Sequence, residues 1–292
     1  MTAKLIPLLQ ALEVERGRRC EARADLLAFT QYTFSQYEAA PHHRRIARTL
    51  EAVDRGEIDR LMVTMPPRHG KSEEVTIRFP AWALGRNPKR HIITACYNAE
   101  LASGFGRSVR NILATPAYDK IFQTQLARDS KAANRWNTTD GGAYIAAGVG
   151  TAITGRGADI FIIDDPLKDR AEAESELRRQ AVWDWYTSTA YTRLMPGGAV
   201  IIVQTRWHED DLAGRLLAHQ EKGGDQWHRL DLPAIDASGQ ALWPEKYPLS
   251  ALRRIQAAIG PRDWSALYQQ APSPEDGDFF RREWFDMFSE LR

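Results

Sequence analysis

Met65-Pro66-Pro67-Arg68-His69-Gly70-Lys71-Ser72 follows directly on the apolar run Leu61-Met62-Val63-Thr64-Met65 and precedes a helix-like stretch at about 73–85. A buried strand, a tight loop and a helix start in that order form the setting of a phosphate-binding loop. Successive backbone N–H groups can wrap an anion while the positive end of the following helix points at it. The nucleotide-contacting stretch is taken as Pro66, Pro67, Arg68, His69, Gly70, Lys71, Ser72 and Glu73. Lys71 is placed to bridge the β- and γ-phosphates of ATP, and the Ser72 hydroxyl to bind Mg²⁺. The common pattern has a glycine where this chain has Met65; here the two prolines fix φ and stiffen the entry instead.

Further apolar runs recur around it: His91 to Tyr97, Ala143 to Ala147, Ile160 to Ile163 and Ala199 to Val203, separated by helix-like stretches at about 98–113 and 169–194. Unbroken apolar runs of this length suit strands covered on both faces, and strands alternating with helices predict an α/β fold with a mainly parallel central sheet flanked by helices. Before the first strand, residues 18–56 read as helical. Pro41 starts a helix that reaches about Asp54 and stops at Gly56. After Leu232-Pro233, prolines punctuate short helices, one of them capped by Ser250 and stopped by Gly260-Pro261. The expected division is a helical segment at 1–56, an ATPase core at 57–235 and a small linker subdomain at 236–292. Most tryptophans lie between Trp183 and Trp284 and are assigned to packing rather than to base stacking.

Two strand ends supply the polar groups that a phosphate loop needs. Asp164 closes the run Phe161-Ile162-Ile163 and is the expected Mg²⁺ ligand; Asp165 is the expected general base, or the group that orients the attacking water. Gln204 and Thr205 close Ile201-Ile202-Val203 at the same sheet edge, where open α/β sheets bind ligands, and Thr205 is expected to sense the γ-phosphate. Arg68 in the loop and Arg156 on the turn Thr154-Gly155-Arg156-Gly157 are the two candidates for the arginine that stabilises charge developing on the γ-phosphoryl group. His42 and His43 read as an exposed helix start, with adenine contact as the alternative. Glu209, Asp210 and Asp211 read as acids opening a helix rather than as a second metal site.

Composition sets outer bounds. With 43% hydrophobic and 26% charged residues the chain is of ordinary globular type, and 39 basic against 38 acidic residues leave a formal charge of +1, which excludes a permanently DNA-coated protein. No apolar run approaches the ~20 residues of a membrane span, the first residues turn charged too early for a secretory signal, and Cys20 and Cys96 make no disulfide framework. An intracellular protein is expected, so the acceptor-like Asn137-Thr138-Thr139 carries no weight.

Taken together, Met65 to Ser72, Phe161 to Pro166 and Val203 to His208 resemble the large terminase subunit of tailed bacteriophages. Cys96 to Ala102, Gly155 to Asp159, Arg206 to Leu212 and Leu267 to Pro272 resemble the same family, so the likeness runs from about residue 37 onward. It implies a RecA-like P-loop ATPase core and a small linker. It also implies a motor that moves double-stranded DNA into a prohead from the cytoplasm of the host cell. The implied partners are a homo-oligomeric ring, the portal protein, the small terminase subunit and DNA held weakly and without sequence preference. By this likeness Lys71, Ser72, Asp164 and Asp165 take the loop-lysine, magnesium and hydrolytic roles. Thr205 falls in the coupling motif, and Arg68 and Arg156 match the loop arginine and the trans-acting finger. Asp165 stands where many members carry Glu. Full-length members continue into a nuclease; none is expected within this chain, and no DNA cleavage by it. A helicase-like translocase and a non-hydrolysing ATP-binding adaptor are the competing readings.

Overall fold

The computed structural model describes residues 2–273 except Lys131, Thr154 and Arg156, with side chains from residue 9 onward. Three helices open the chain: α1 (Thr2–Ala24), α2 (Leu26–Thr33) and α3 (Pro41–Asp54). Asp25 caps α2 by accepting from the Ala28 N–H, and Pro41 fits the first turn of α3, where its missing N–H costs nothing. Gly56, at φ 76°, lets the chain turn out of α3 into the first strand.

Strands β1 (Arg60–Thr64), β2 (His91–Cys96), β3 (Arg135–Asn137), β4 (Ala143–Gly148), β5 (Ala158–Asp164), β6 (Leu194–Gln204) and β7 (His228–Asp231) form one sheet in the order β3-β4-β2-β5-β6-β1-β7. All pairs are parallel except β3 with β4. Alternation of side chains across the pleat divides the inner strands between two cores. Leu61, Val63, Ile160, Ile162, Ile201 and Val203 face the layer formed with α1–α3. Met62, Phe161, Ile163, Val200 and Ile202 face the opposite layer. Each such fully buried aliphatic side chain stabilises the fold by roughly 1.5–3 kcal/mol relative to exposure.

The helix after β1 begins as a π-helical turn, Glu73–Arg78, and continues as α4 (Phe79–Arg86). Pro80 explains the wide turn. In a regular helix its ring would collide with the carbonyl of Thr76, and the π turn instead carries the Phe79 N–H to Glu74 O. Helices α5 (Ala99–Leu113), α6 (Pro116–Asp119), α7 (Arg170–Glu174), α8 (Glu176–Trp185), α9 (Leu212–Glu221) and α10 (Leu249–Asp263) complete the layers. A small third core gathers Ala234, Leu252 and Trp264. Among the described residues no helix is long and apolar enough to cross a membrane.

Several expectations need correction. Helix already begins at Thr2, ahead of residue 18. The polar strands β3 and β7 lack an apolar run and were invisible to periodicity; neighbouring strands recruit them. The stretch 169–194 is broken at Ser175, whose hydroxyl accepts from Arg178 N–H and starts α8. The cap of α10 is Pro248, not Ser250, because the chain leaves Pro248 extended and helical geometry begins at Leu249. Gly260 does interrupt the helix, at φ 80°, but Pro261 starts a further turn.

Candidate active site

Registers bring three strand ends to one line. Asp164 on β5 lies opposite Val203 on β6, and Gln204 lies opposite Thr64 on β1. The loop from Met65, the acidic pair and Thr205 therefore meet at one sheet edge. Met65 keeps the strand going: its N–H donates to Gln204 O and its carbonyl accepts from Thr205 Oγ1 at 3.3 Å. Its φ is not positive, which is why a side chain is tolerated where the common loop has glycine.

Lys71, only 8% exposed, folds inward. Its Nζ lies 3.1 Å from Asp165 Oδ2 and donates to Thr205 Oγ1 at 2.8 Å. Asp165 also accepts from the Thr205 N–H at 2.8 Å, and it adopts φ 43°, an uncommon geometry for a residue with a side chain. Asp164 is buried and accepts from Thr76 Oγ1 at 2.6 Å. Burial and the neighbouring Asp165 charge push the Asp164 carboxyl up to about 7, against the opposing pull of Lys71, Thr76 and Ser72. Two carboxylates thus share one ammonium, so the crevice is short of positive charge. Glu73 pairs with Arg78 at 2.6 Å. Arg68 is exposed at φ 63° and makes no ion pair with any described residue. Arg156 lies outside the described residues. A cleft lined by Trp183, Tyr186, Tyr191 and Trp227 sits near Arg60 at the opposite end of β1 and shares no residue with this edge.

The loop rests on imidazoles. His42 and His43, expected at an exposed helix start, are buried, because the first turn of α3 is wedged between the phosphate loop and Trp243. Both approach the carbonyl of His69 with Nε2 at 3.0 Å. The ring of His69 turns inward, its Nδ1 2.8 Å from Pro67 O, and stacks on Tyr247 at 4.4 Å. Only the backbone of His69 remains for a ligand. The N–H groups of Arg68, His69 and Gly70 have no acceptor among the described residues. Burial pulls the His43 imidazole down to about 3 and that of His69 to about 4. Both stay neutral in the folded chain but take up protons on unfolding below the ordinary value near 6.5. Stability is therefore complete above that value and falls as the pH drops toward 4. Between pH 7 and pH 5 each ring is expected to cost about 2 kcal/mol, and urea unfolding at the two pH values checks it.

Sequence reasoning missed Thr76, Gln270 and Tyr247. Thr76 had a signal, since it lies one helical turn after Ser72 on the same face. Gln270 had none beyond its place in a resembling motif. At φ 57° it turns its side chain back so that Oε1 accepts from the Arg206 N–H at 3.2 Å, tying the chain after α10 to the end of β6. Arg206 itself is buried with Asp211, the cap of α9, at 2.8 Å. Asp210 pairs with Arg179 and Arg215.

A parallel sheet of this order, with loop, acidic strand end and polar strand end at one edge, defines a RecA-like P-loop fold. The sequence profile described as "Terminase large subunit, T4likevirus-type, N-terminal" matches residues 62–286, and the chain belongs to that terminase large-subunit family. Among solved structures it is similar to the large terminase of bacteriophage HK97, with 12% identity over 81% of this chain and 51% of that one, at a TM-score of 0.54. It is also similar to the large-terminase ATPase domain of Thermus phage P74-26, with 13% identity over 80% of this chain and 93% of that one, at a TM-score of 0.52. At these identities the likeness is one of fold. The chain spans about half the length of the HK97 protein. No curated protein sequence matches it.

Proposed function

We propose that this chain binds and hydrolyses ATP with Mg²⁺ and is the ATPase part of a terminase that moves double-stranded DNA into a prohead. The observation that carries the hydrolytic reading is the convergence of Lys71, Asp165 and Thr205 beside a loop with free N–H groups. Asp164 and Ser72 suit a magnesium ion. A buried carboxylate that lacks enough nearby positive charge, beside a hydroxyl, is a hard-oxygen donor set that would hold such an ion. Bound there, magnesium would neutralise charge on the phosphates. Lys71 gives up Asp165 to reach the phosphates, which frees that carboxylate to accept the proton of the attacking water. Thr205, touching both Lys71 and Asp165, reports the exchange to β6. Arg68 in cis or Arg156 in trans supplies the positive charge that the developing transition state needs.

Residues 57–235 would be the hydrolytic core, 1–56 its helical flank and 236–292 the linker. The reading extends to a homo-oligomeric ring, the portal protein, the small terminase subunit and a cytoplasmic site of action, with family membership as its support. A net charge of +1 suits a motor whose subunits each make few phosphate contacts and let go at every step. Phosphate release by the wild type and by Asp165→Ala at saturating ATP tests the proposal. The variant is expected to be about a hundredfold slower. Equal rates would favour a non-hydrolysing adaptor.

A further inference from the structure

His42 faces two carbonyls and can serve only one of them while neutral. Its Nε2 lies 3.0 Å from His69 O in the phosphate loop, and its Nδ1 lies 3.2 Å from Leu242 O. An uncharged imidazole carries one N–H. Leu242 belongs to a short antiparallel turn, closed by the Ile235 and Ala241 bridge and by Leu242 N–H donating to Ala234 O at 2.9 Å. The opposite side of the turn is tied to the segment after α10, where Ala234 N–H donates to Tyr268 O at 2.7 Å and Gln269 bonds both polar groups of Ile235, so His42 is the tie on the Leu242 side.

His43 makes the choice possible. Its Nδ1 accepts from the Ala40 N–H at 3.0 Å, so its proton is fixed on Nε2 and always donated to His69 O at 3.0 Å. The loop carbonyl therefore stays satisfied whichever way His42 turns its proton. Burial keeps His42 itself below the ordinary imidazole range, with Arg45 adding to the effect and Glu245 and the two carbonyls opposing it.

We propose that His42 is a positioning residue whose single proton is shared in turn between the phosphate loop and the Leu242 turn, and that nucleotide binding moves it to the loop. The inference rests on the nucleotide-site reading above. Its direction follows from the peptide unit joining His69 C=O to Gly70 N–H. Hydrogen bonds at the two ends of one peptide strengthen each other. An anion on the Gly70 N–H makes His69 O the better acceptor, and the His42 proton leaves Nδ1 for Nε2 through solvent with no change of net charge. Leu242 O then loses its donor, and the turn loosens. The same bond works in reverse: two imidazoles on His69 O polarise the Gly70 N–H and ready it for phosphate.

Amide hydrogen exchange and imidazole ¹⁵N shifts of the full chain, without and with saturating ATPγS, test this. In the wild type, nucleotide is expected to protect amides at 66–72 and to speed exchange at 242–247 at least threefold. The His42 shifts should move from the Nδ1–H to the Nε2–H form. His42→Gln places its amide donor where Nε2 was and should leave 242–247 fast with or without nucleotide. His42→Asn places the donor where Nδ1 was and should keep 242–247 slow in both states. A wild-type response in either variant would overturn the inference. So would a protected loop with unchanged exchange at 242–247 and an unmoved His42 proton. No protection at 66–72 in the wild type would instead sink the nucleotide-site reading itself.

Discussion

Lys71→Ala is expected to lower ATP turnover by about a thousandfold, equivalent to ~4 kcal/mol of transition-state stabilisation, while leaving the secondary structure intact. The Lys71 ammonium touches Asp165 and Thr205 together and is the cation that draws the Asp164 carboxyl down against its burial. Its loss removes a positive charge from the phosphates and leaves two adjacent carboxylates unbalanced. Arginine should not rescue, because a planar guanidinium has no room where a compact ammonium sits between a carboxylate and a hydroxyl. Phosphate release and circular dichroism on Lys71→Ala and Lys71→Arg check both points. Turnover by Lys71→Ala within tenfold of wild type would remove this lysine from the chemistry.

Gly70→Ala should destabilise the chain by about 2–4 kcal/mol and abolish nucleotide binding. Two costs add at this position. The backbone sits at φ 94°, where a side chain is strained by roughly 1–2 kcal/mol, and an added Cβ would lie 2.4 Å from His43 Nε2. To escape, the His43 ring must swing away, dropping its bond to His69 O and the support beneath the loop. Gly56→Ala is the control. Gly56 has a similar φ of 76°, but its Cβ would meet nothing within 4 Å, so only the backbone cost of about 1–2 kcal/mol applies. Urea unfolding of the two variants, with nucleotide titration, separates the terms. Equal losses of stability would show that the imidazole contact contributes nothing.

Which parts of this molecule were legible in its sequence follows from how local each signal is. The runs at 61–65, 160–163 and 199–203 announce buried strands, since parallel strands covered on both faces must be apolar throughout. Lys71, Asp164 and Thr205 could be picked out because polar residues at the ends of such runs stand against their surroundings. His42 and His43 misled for the converse reason: two imidazoles after a proline look like any exposed first turn. Their burial depends on Trp243, some two hundred residues downstream, which no local pattern encodes. β7 was hidden because a short edge strand with a single buried residue borrows its order from β1. Gln270 was hidden because its role lies in a left-handed backbone and a contact with Arg206.

That last contact has a mechanical meaning. Residues 206 and 270 are distant along the chain, yet a single side-chain amide joins them, and Arg206 is the immediate neighbour of Thr205. Tension applied to the polypeptide beyond Ala271 would load that link together with Ser265, whose carbonyl and hydroxyl also hold Ala271. A tug of this kind would be felt at the threonine that holds the lysine, and the rate of hydrolysis would then depend on load.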